Sequence, residues 1–298
     1  MNKFFKIFVR LFHDMRKQFL CKKDKRRSAS IFFIPRIPQN QKGICSEIVV
    51  FPFCICYHRY ARVFTSILNS KGRRSYMKIL FQGDSITDGN RYKSKSAEWD
   101  KNHQIGHSYV YIVTGLLGMQ YPERGFSFVN RGVSGNTAKL LADRWQMDAL
   151  DIAPDVLSVL VGVNDCLVGS ARPIKDFSAS EYEENYRFIL KQSLAKNPNL
   201  RIVLLEPFAY PEIQKAETSS PSIRRAILRS EQRIVRRLAS EFHAVFIPLQ
   251  ALFDQVREIR EPEYWLWDGT HPTEAGHALI AREFLKATQT IFQTEAVI

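Results

Sequence analysis

The sequence is poor in cysteine over most of its length, and it has no long uninterrupted apolar run. Four of its five cysteines lie in the first quarter of the chain, and only Cys166 follows Met77. The later part therefore cannot build a disulfide framework, and Cys54 and Cys56 have no partner pair at zinc-finger spacing. The apolar stretch 48–57 is too short for a bilayer span, which needs about 20 residues. These absences suit a reducing compartment, and we expect a cytoplasmic protein without a membrane partner.

The net positive charge is confined to the start of the chain. Residues 1–76 contain 17 Lys or Arg against three acids, whereas the remainder contains 26 basic and 27 acidic residues. The formal charge of +13 therefore does not indicate a nucleic-acid partner for the later part. Since residues 1–76 show no sustained apolar period and Met77 reads as a natural start, we predict a basic N-terminal extension outside the fold. Two alternatives are a basic arm for membrane surfaces or nucleic acid and a degenerate export signal, which would place the protein outside the cytoplasm.

From Met77 onward, short apolar runs alternate with amphipathic stretches, which is typical of βαβ units around a parallel sheet. The runs predict strands over 78–82, 127–130, 156–161, 201–205 and 244–247. The amphipathic stretches predict helices near 107–120, 138–150, 180–196, 223–242 and 273–286. We therefore predict one α/β domain over residues 77–298, with helices on both faces of a five-stranded parallel sheet.

Polar residues that can carry out chemistry follow these strands. Ser85 follows the first strand within Gly-Asp-Ser, Gly135 follows the second, and Asn164 follows the third. Asp268 and His271 stand three residues apart, just before the last predicted helix. Because ligands bind beyond the carboxyl ends of parallel strands, these residues are expected to meet at one edge of the sheet.

This combination predicts nucleophilic catalysis on an ester. A serine hydroxyl is a weak nucleophile that needs an adjacent base, and the base needs an orienting group. We expect Nε2 of His271 to face the Ser85 hydroxyl and Asp268 to face Nδ1. The N–H groups of Ser85 and Gly135 and the Asn164 amide would form the oxyanion hole. Taken singly, each residue has an ordinary explanation as a helix cap or turn; their joint occurrence carries the prediction.

These blocks resemble those of the SGNH hydrolases, also called GDSL esterases. Ser85, Gly135, Asn164 and His271 match the four residues that name the family, and Asp268 matches its D-x-x-H. The resemblance spans about Met77 to Thr288 and implies a three-layer α/β/α sandwich of flavodoxin-like fold, with strand order 2-1-3-4-5. It implies no cofactor. The absence of G-x-S-x-G disfavours the nucleophile elbow of the α/β-hydrolases.

Longer stretches are similar to bacterial acetylxylan esterases, which act on xylan-derived oligosaccharides. They are 83–88, 121–123, 133–137 with 142–145, and 267–272 with 275–277. The resemblance implies removal of acetyl groups from carbohydrate, with xylo-oligosaccharides as the expected substrates, and allows for a homo-oligomer. Indole and phenol rings can stack on sugars, so we expect substrate-binding aromatics at Trp267, Trp265, Trp99 and Tyr210. The alternative for Trp265 and Trp267 is a packing role.

Two further function classes stay open. A thioesterase or lysophospholipase-like relative acting on acyl chains would need a deep apolar slot, whereas the two long predicted loops, 90–105 and 208–221, offer Trp, Tyr and polar groups. A non-catalytic binding protein on the same fold is disfavoured because every triad and oxyanion position is filled.

Other polar clusters are predicted to be structural. His103 and His107 have no acidic or Cys partners at metal spacing, so no metal is expected. His277 is expected to be a packed or surface histidine. The Arg-rich stretch 224–237 is interpreted as a solvated helix face balanced by Glu231 and Glu241.

Overall fold

A five-stranded parallel sheet forms the centre of the fold in the computed structural model, which describes residues 76–93, 100–168, 178–214 and 220–293. The predicted N-terminal extension lies outside these residues, apart from Tyr76. The strands are β1 (Lys78–Gly83), β2 (Ser127–Asn130), β3 (Val156–Leu160), β4 (Arg201–Leu205) and β5 (Val245–Ile247). Their order is β2-β1-β3-β4-β5, and every neighbouring pair is parallel. The predicted sheet and its order are confirmed.

Helices surround the sheet and connect its strands. Their bounds are α1 (Ser85–Asp88), α2 (Lys101–Ile105), α3 (Tyr109–Gln120), α4 (Ala138–Asp143), α5 (Val163–Val168), α6 (Ala179–Lys196), α7 (Pro221–Glu241), α8 (Leu249–Val256), α9 (Pro262–Trp265), α10 (Glu274–Ala287) and α11 (Gln289–Gln293). Single turns of 3₁₀-helix and π-helix occupy Pro122–Arg124 and Gln146–Leu150.

Alternate side chains of the strands supply two hydrophobic cores, one on each face of the sheet. Ile79 and Phe81 point into a core that includes apolar residues of α3, α8, α10 and α11. Leu80, between them in sequence, points into the opposite core, which includes apolar residues of α4, α6 and α7. Successive side chains of a strand point to opposite faces, so continuous apolar runs are what a sheet covered on both sides requires. The result is the predicted three-layer sandwich.

The helix predicted over 138–150 is interrupted. Regular α-helix ends at Asp143, and a π turn begins at Gln146. Trp145 lies at this break with its indole in the core, where Nε1 donates to Ser193 Oγ at 3.0 Å. The wider π turn allows the large ring to be buried while its one polar atom keeps a hydrogen-bond partner. The N–H of a buried Trp usually has such a partner.

The Arg-rich helix α7 differs from its prediction in two residues. Arg224 and Glu231 are only 1% and 0% exposed, so they do not belong to a solvated face. Exposed arginines of the helix pair instead with acids of other elements, as Arg225 does with Glu212 at 2.8 Å and Arg237 with Glu183. Arg224 and Glu231 are seven residues apart, two helical turns, and thus lie on the face that is packed against the protein.

Candidate active site

Ser85 lies at the sharp connection between β1 and α1. Gly83 has φ of +158°, and a Cβ there would come within 2.3 Å of the Leu160 carbonyl oxygen and 2.4 Å of Thr87 Oγ1. Only glycine fits this close approach. The Asp84 carboxylate then caps the helix by accepting from the Ile86 N–H at 2.9 Å. Ser85 is left partly exposed at the first helical position, and no described residue accepts a hydrogen bond from its N–H.

Asp268 and His271 belong to a tight turn just before α10. The turn is closed by the Trp267 N–H, which donates to the His271 carbonyl at 3.1 Å. Asp268 Oδ1 accepts from the backbone N–H groups of Thr270 at 2.9 Å and His271 at 2.7 Å. Its other oxygen, Oδ2, lies 2.7 Å from Nδ1 of His271. The backbone of the turn therefore fixes the carboxylate, which in turn orients the imidazole.

The serine, the imidazole and the carboxylate form one hydrogen-bonded line. Ser85 Oγ lies 2.9 Å from His271 Nε2, across 186 residues of chain. The hydrogen bond to Asp268 raises the pKa of His271 above its ordinary value, against the opposing effect of burial. Burial raises the pKa of Asp268, but hydrogen bonds from His271 and Thr270 outweigh it and leave the pKa below its ordinary value. With Asp268 charged and bound to Nδ1, Nε2 is the nitrogen that can accept the serine proton.

The loop after β2 carries Gly135 and is held by residues that follow β3. Asn164 Nδ2 donates to the Asn136 carbonyl at 3.0 Å, and the Asp165 carboxylate accepts from the Ala138 N–H at 3.0 and 3.2 Å. Gly135 has φ of +81°, and a Cβ at this position would meet nothing within 4 Å. No described residue accepts a hydrogen bond from its N–H. Gly135 is exposed, so its N–H is available to a substrate oxygen, and the Asn164 amide, which has two N–H bonds, retains a second donor.

Three supporting residues were not singled out from the sequence. Asn130, which is buried, donates to the carbonyls of Thr87 and Ile105 at 2.8 and 2.7 Å and accepts from the Gly132 N–H at 2.9 Å, joining the first two loops. Burial raises the pKa of Asp84 to about 7, partly offset by the Ile86 N–H and by His271. Burial likewise raises the pKa of Asp165 to about 7. Their positions directly after strands were the available signal, since ligands bind beyond the carboxyl ends of parallel strands.

The aromatic residues that were predicted to bind substrate differ in their exposure. Trp267 is 61% exposed, and its ring stacks on His271 with centroids 5.7 Å apart and planes inclined by 21°. Trp265 is partly buried against the core, with Nε1 donating to the Val256 carbonyl at 3.0 Å, so the packing alternative describes it. Tyr210 is fully buried, and its hydroxyl donates to the Phe253 carbonyl at 2.5 Å; the prediction that it contacts substrate is wrong. Trp99 lies outside the described residues.

Histidines beyond the triad have structural partners. His277 Nδ1 accepts from the Tyr109 N–H at 3.1 Å, and burial lowers the pKa of this histidine to about 4. His103 pairs with Asp100 at 2.7 Å in the first turns of α2. Over the described ranges, no group of three or more His, Cys, Asp or Glu side chains is arranged to hold a metal ion. Within the same ranges, no helix has the length and apolarity needed to cross a membrane.

Comparison with known proteins points to one family. Residues 81–279 match the model of the GDSL-like lipase/acylhydrolase family. The chain is 34% identical over 213 residues to an acetylxylan esterase of Geobacillus stearothermophilus, a match that covers 70% of this chain and 92% of the relative. The family model covers the segment that contains every residue of the candidate site.

Solved structures agree with this result. A GDSL-like lipase structure from Parabacteroides merdae superposes with a TM-score of 0.65 at 34% identity, covering 71% of this chain and 95% of that one. The Geobacillus acetylxylan esterase superposes with a TM-score of 0.60 at 33% identity, covering 74% and 95%. Three further structures of that esterase carry replacements at a serine, an aspartate and a histidine and are described as catalytic mutants. In that esterase the aspartate precedes the histidine by three positions.

Proposed function

Because the chain belongs to the GDSL-like lipase/acylhydrolase family and is a carboxylic ester hydrolase, we propose that it removes acetyl groups from xylo-oligosaccharides through an acyl-enzyme intermediate on Ser85. The observation that carries this proposal is the line from Ser85 Oγ through His271 to Asp268, with links of 2.9 and 2.7 Å. The same Asp-x-x-His spacing occurs in the acetylxylan esterase of known structure.

In the first half of the reaction, Ser85 Oγ attacks the acetyl carbonyl carbon while His271 Nε2 takes the hydroxyl proton. The carbonyl oxygen becomes an oxyanion that the N–H groups of Ser85 and Gly135 and the Asn164 amide can bind. The intermediate collapses by breaking the bond to the sugar oxygen, which receives the proton from His271. Asp268 stabilises the imidazolium and remains ionised throughout.

In the second half, water replaces the sugar. His271 takes a proton from the water molecule as its oxygen attacks the acetyl-serine ester. Collapse of the second tetrahedral intermediate breaks the bond between the carbonyl carbon and Ser85 Oγ, releases acetic acid and returns the proton to the serine. No cofactor is needed for either half, because the protons and electron pairs balance among substrate, water and the triad.

Trp267 supports a carbohydrate as the substrate. Its ring is mostly exposed and lies parallel to His271, so a sugar that carries the acetyl group can lie against the indole face while its ester reaches Ser85. The acetylxylan esterase relative acts on a substrate of this class by its name.

The test compares two substrate classes on one preparation. Acetylated xylo-oligosaccharides are expected to be turned over with a kcat/KM well above that for long-chain p-nitrophenyl esters, and Ser85→Ala abolishes both activities. Faster turnover of the long chains would contradict the carbohydrate assignment and favour the acyl-chain alternative. Trp267→Ala is expected to raise KM for the oligosaccharide about 2- to 13-fold, since a ring contact contributes roughly 0.5–1.5 kcal/mol, with little change for p-nitrophenyl acetate. Equal losses on both substrates would count against a sugar-stacking role.

A further inference from the structure

The turn that carries Asp268 and His271 rests on residues 210–214, which follow β4. The Tyr210 N–H donates to the Gly269 carbonyl at 2.7 Å. Gly269 has φ of +82°, and a Cβ there would lie 2.7 Å from Ile213 Cγ1 and from the Tyr210 carbonyl oxygen. The two segments are therefore in backbone contact, too close for any side chain at position 269. Displacement of residues 210–214 would be transmitted to the triad turn.

One side-chain hydrogen bond links the same two segments. Gln214 Nε2 donates to Thr270 Oγ1, and both residues are buried, with 8% and 3% exposure. Thr270 stands between Asp268 and His271, and its own N–H donates to Asp268 Oδ1 at 2.9 Å. Gln214 is thus linked to the Asp268 carboxylate through a single residue, Thr270, which is hydrogen-bonded to both. A buried polar pair fixes direction as well as distance, which apolar packing of the same volume does not.

A buried arginine holds residues 210–214 from the other side. Arg224, near the start of α7, donates from Nη2 to the carbonyls of Pro211 at 2.7 Å and Gln214 at 3.2 Å. Its side chain is almost fully buried. The planar guanidinium can hold several carbonyls in a fixed relative arrangement, which a lysine ammonium does less well. The hydrogen bonds thus run from α7 through residues 211–214 to Thr270 in the triad turn.

We propose that Gln214 and Arg224 are positioning residues for catalysis: Arg224 fixes residues 211–214, and Gln214 transfers that position through Thr270 to the turn that presents Asp268 and His271 to Ser85. The inference rests on the proposed catalytic role of the triad. A misplacement of about 1 Å at a reacting group can cost roughly 100-fold in rate. Loss of the Gln214–Thr270 contact is therefore expected to lower kcat while leaving KM for a small substrate unchanged.

The central experiment is a double-mutant cycle with Gln214→Ala and Thr270→Val, measured with p-nitrophenyl acetate. Each single variant is expected to lower kcat about 10- to 100-fold, and the double variant is expected to be no worse than the poorer single one. Thr270→Ser keeps the acceptor oxygen and should restore kcat to within about threefold of wild type. Additive losses in the cycle, or a Thr270→Ser variant as slow as Thr270→Val, would overturn the proposal.

A pH profile separates positioning from general loss of folded protein. A loosened turn weakens the hydrogen bond between Asp268 and His271, so the acidic limb of kcat/KM should move to lower pH in Gln214→Ala. A smaller folded fraction would scale the whole profile without moving the limb, and that result would overturn the proposal. Gln120→Ala, the same truncation at the exposed end of α3, is the matched control and should retain wild-type kinetics.

Arg224 is tested by Arg224→Lys and Arg224→Met in the same assays. Both should lower kcat at constant KM, with Lys the milder of the two; wild-type kcat in Arg224→Met would remove Arg224 from the proposal. Should Arg224→Met fail to fold, Arg224→Lys and the Gln214–Thr270 cycle still decide. Ser85→Ala distinguishes failure of this proposal from failure of the proposed function. If Ser85→Ala remains active, the catalytic triad is refuted. If Ser85→Ala is inactive but Gln214→Ala has wild-type activity, only the positioning role is refuted.

Discussion

Replacing Asp268 by Asn is expected to move the proton of neutral His271 from Nδ1 to Nε2 while preserving the turn. Asp268 Oδ1 accepts from two backbone N–H groups, those of Thr270 and His271. An Asn amide can satisfy both donors only with its carbonyl oxygen in this position, because its NH₂ group cannot accept. The NH₂ group is thereby directed at His271 Nδ1, where the carboxylate Oδ2 now lies at 2.7 Å.

An amide donor at that point forces Nδ1 to act as the acceptor. The neutral imidazole then carries its proton on Nε2, the nitrogen 2.9 Å from Ser85 Oγ, and it can no longer accept the serine proton. In serine proteases, a catalytic histidine held in the wrong tautomer cannot act as the base, and kcat falls about 10⁴-fold, which corresponds to about 5.4 kcal/mol. We expect a loss of the same order in Asp268→Asn, with KM for p-nitrophenyl acetate within about threefold of wild type.

The assay has a kinetic and a spectroscopic part. Initial rates on p-nitrophenyl acetate give kcat and KM, and ¹⁵N NMR of the histidine ring reports which nitrogen carries the proton. The expected spectrum shows protonated Nδ1 in the wild type and protonated Nε2 in Asp268→Asn. A variant that keeps more than a tenth of wild-type kcat, or one with Nδ1 still protonated, would refute this account of the turn.

Three further predictions follow from the site and its surroundings. Asn164→Ala should lower kcat about 100- to 1,000-fold through the loss of an oxyanion donor worth roughly 2.7–4 kcal/mol, whereas near-normal kcat would exclude that role. Because the pKa of His271 is raised and its neutral form acts as the base, activity should fall with decreasing pH from above 6.5, and a limb below that value would contradict the assignment. Burial raises the pKa of Glu231 well above 4.5, so its contribution to stability is full below that pH and is lost as pH rises, by about 1.4 kcal/mol per unit; urea unfolding of Glu231→Gln from pH 5 to 8 should show a slope smaller than that of the wild type, the rest coming from groups such as Asp84 and Asp165, and parallel curves would be evidence against it.

The five strands were predictable because each is a short run rich in apolar residues, as strands of a sheet covered by helices on both faces should be. The position of Ser85 followed from the same pattern, since β1 ends at Gly83 and the carboxyl ends of parallel strands share one edge. The hydrogen bond between Ser85 and His271 joins residues 186 positions apart, and no local pattern specifies its length. It was inferred from the combination of residue types and from the family resemblance.

Other features depend on tertiary contacts that a sequence pattern does not encode. Helix α7 shows regular arginine spacing, yet the burial of Arg224 and Glu231 depends on which face meets the rest of the protein. Tyr210 was expected on a binding surface because a phenol ring can stack on a sugar, but its ring fills the core beside Phe253. Trp265 and Trp267 are two residues apart and differ in exposure, because Trp265 ends α9 and packs against the core, whereas Trp267 lies beyond the helix in the turn that carries Asp268 and His271.

The most direct measurement of the central claim is covalent labelling of the nucleophile. Diethyl p-nitrophenyl phosphate should transfer its diethylphosphoryl group to Ser85 Oγ, releasing one p-nitrophenolate per chain, with the serine proton taken up by His271. Peptide mass spectrometry should find the adduct on the peptide that contains Ser85, and labelling of His271→Ala should be slower by at least about 100-fold. An adduct on another residue, or labelling of His271→Ala at the wild-type rate, would contradict the account.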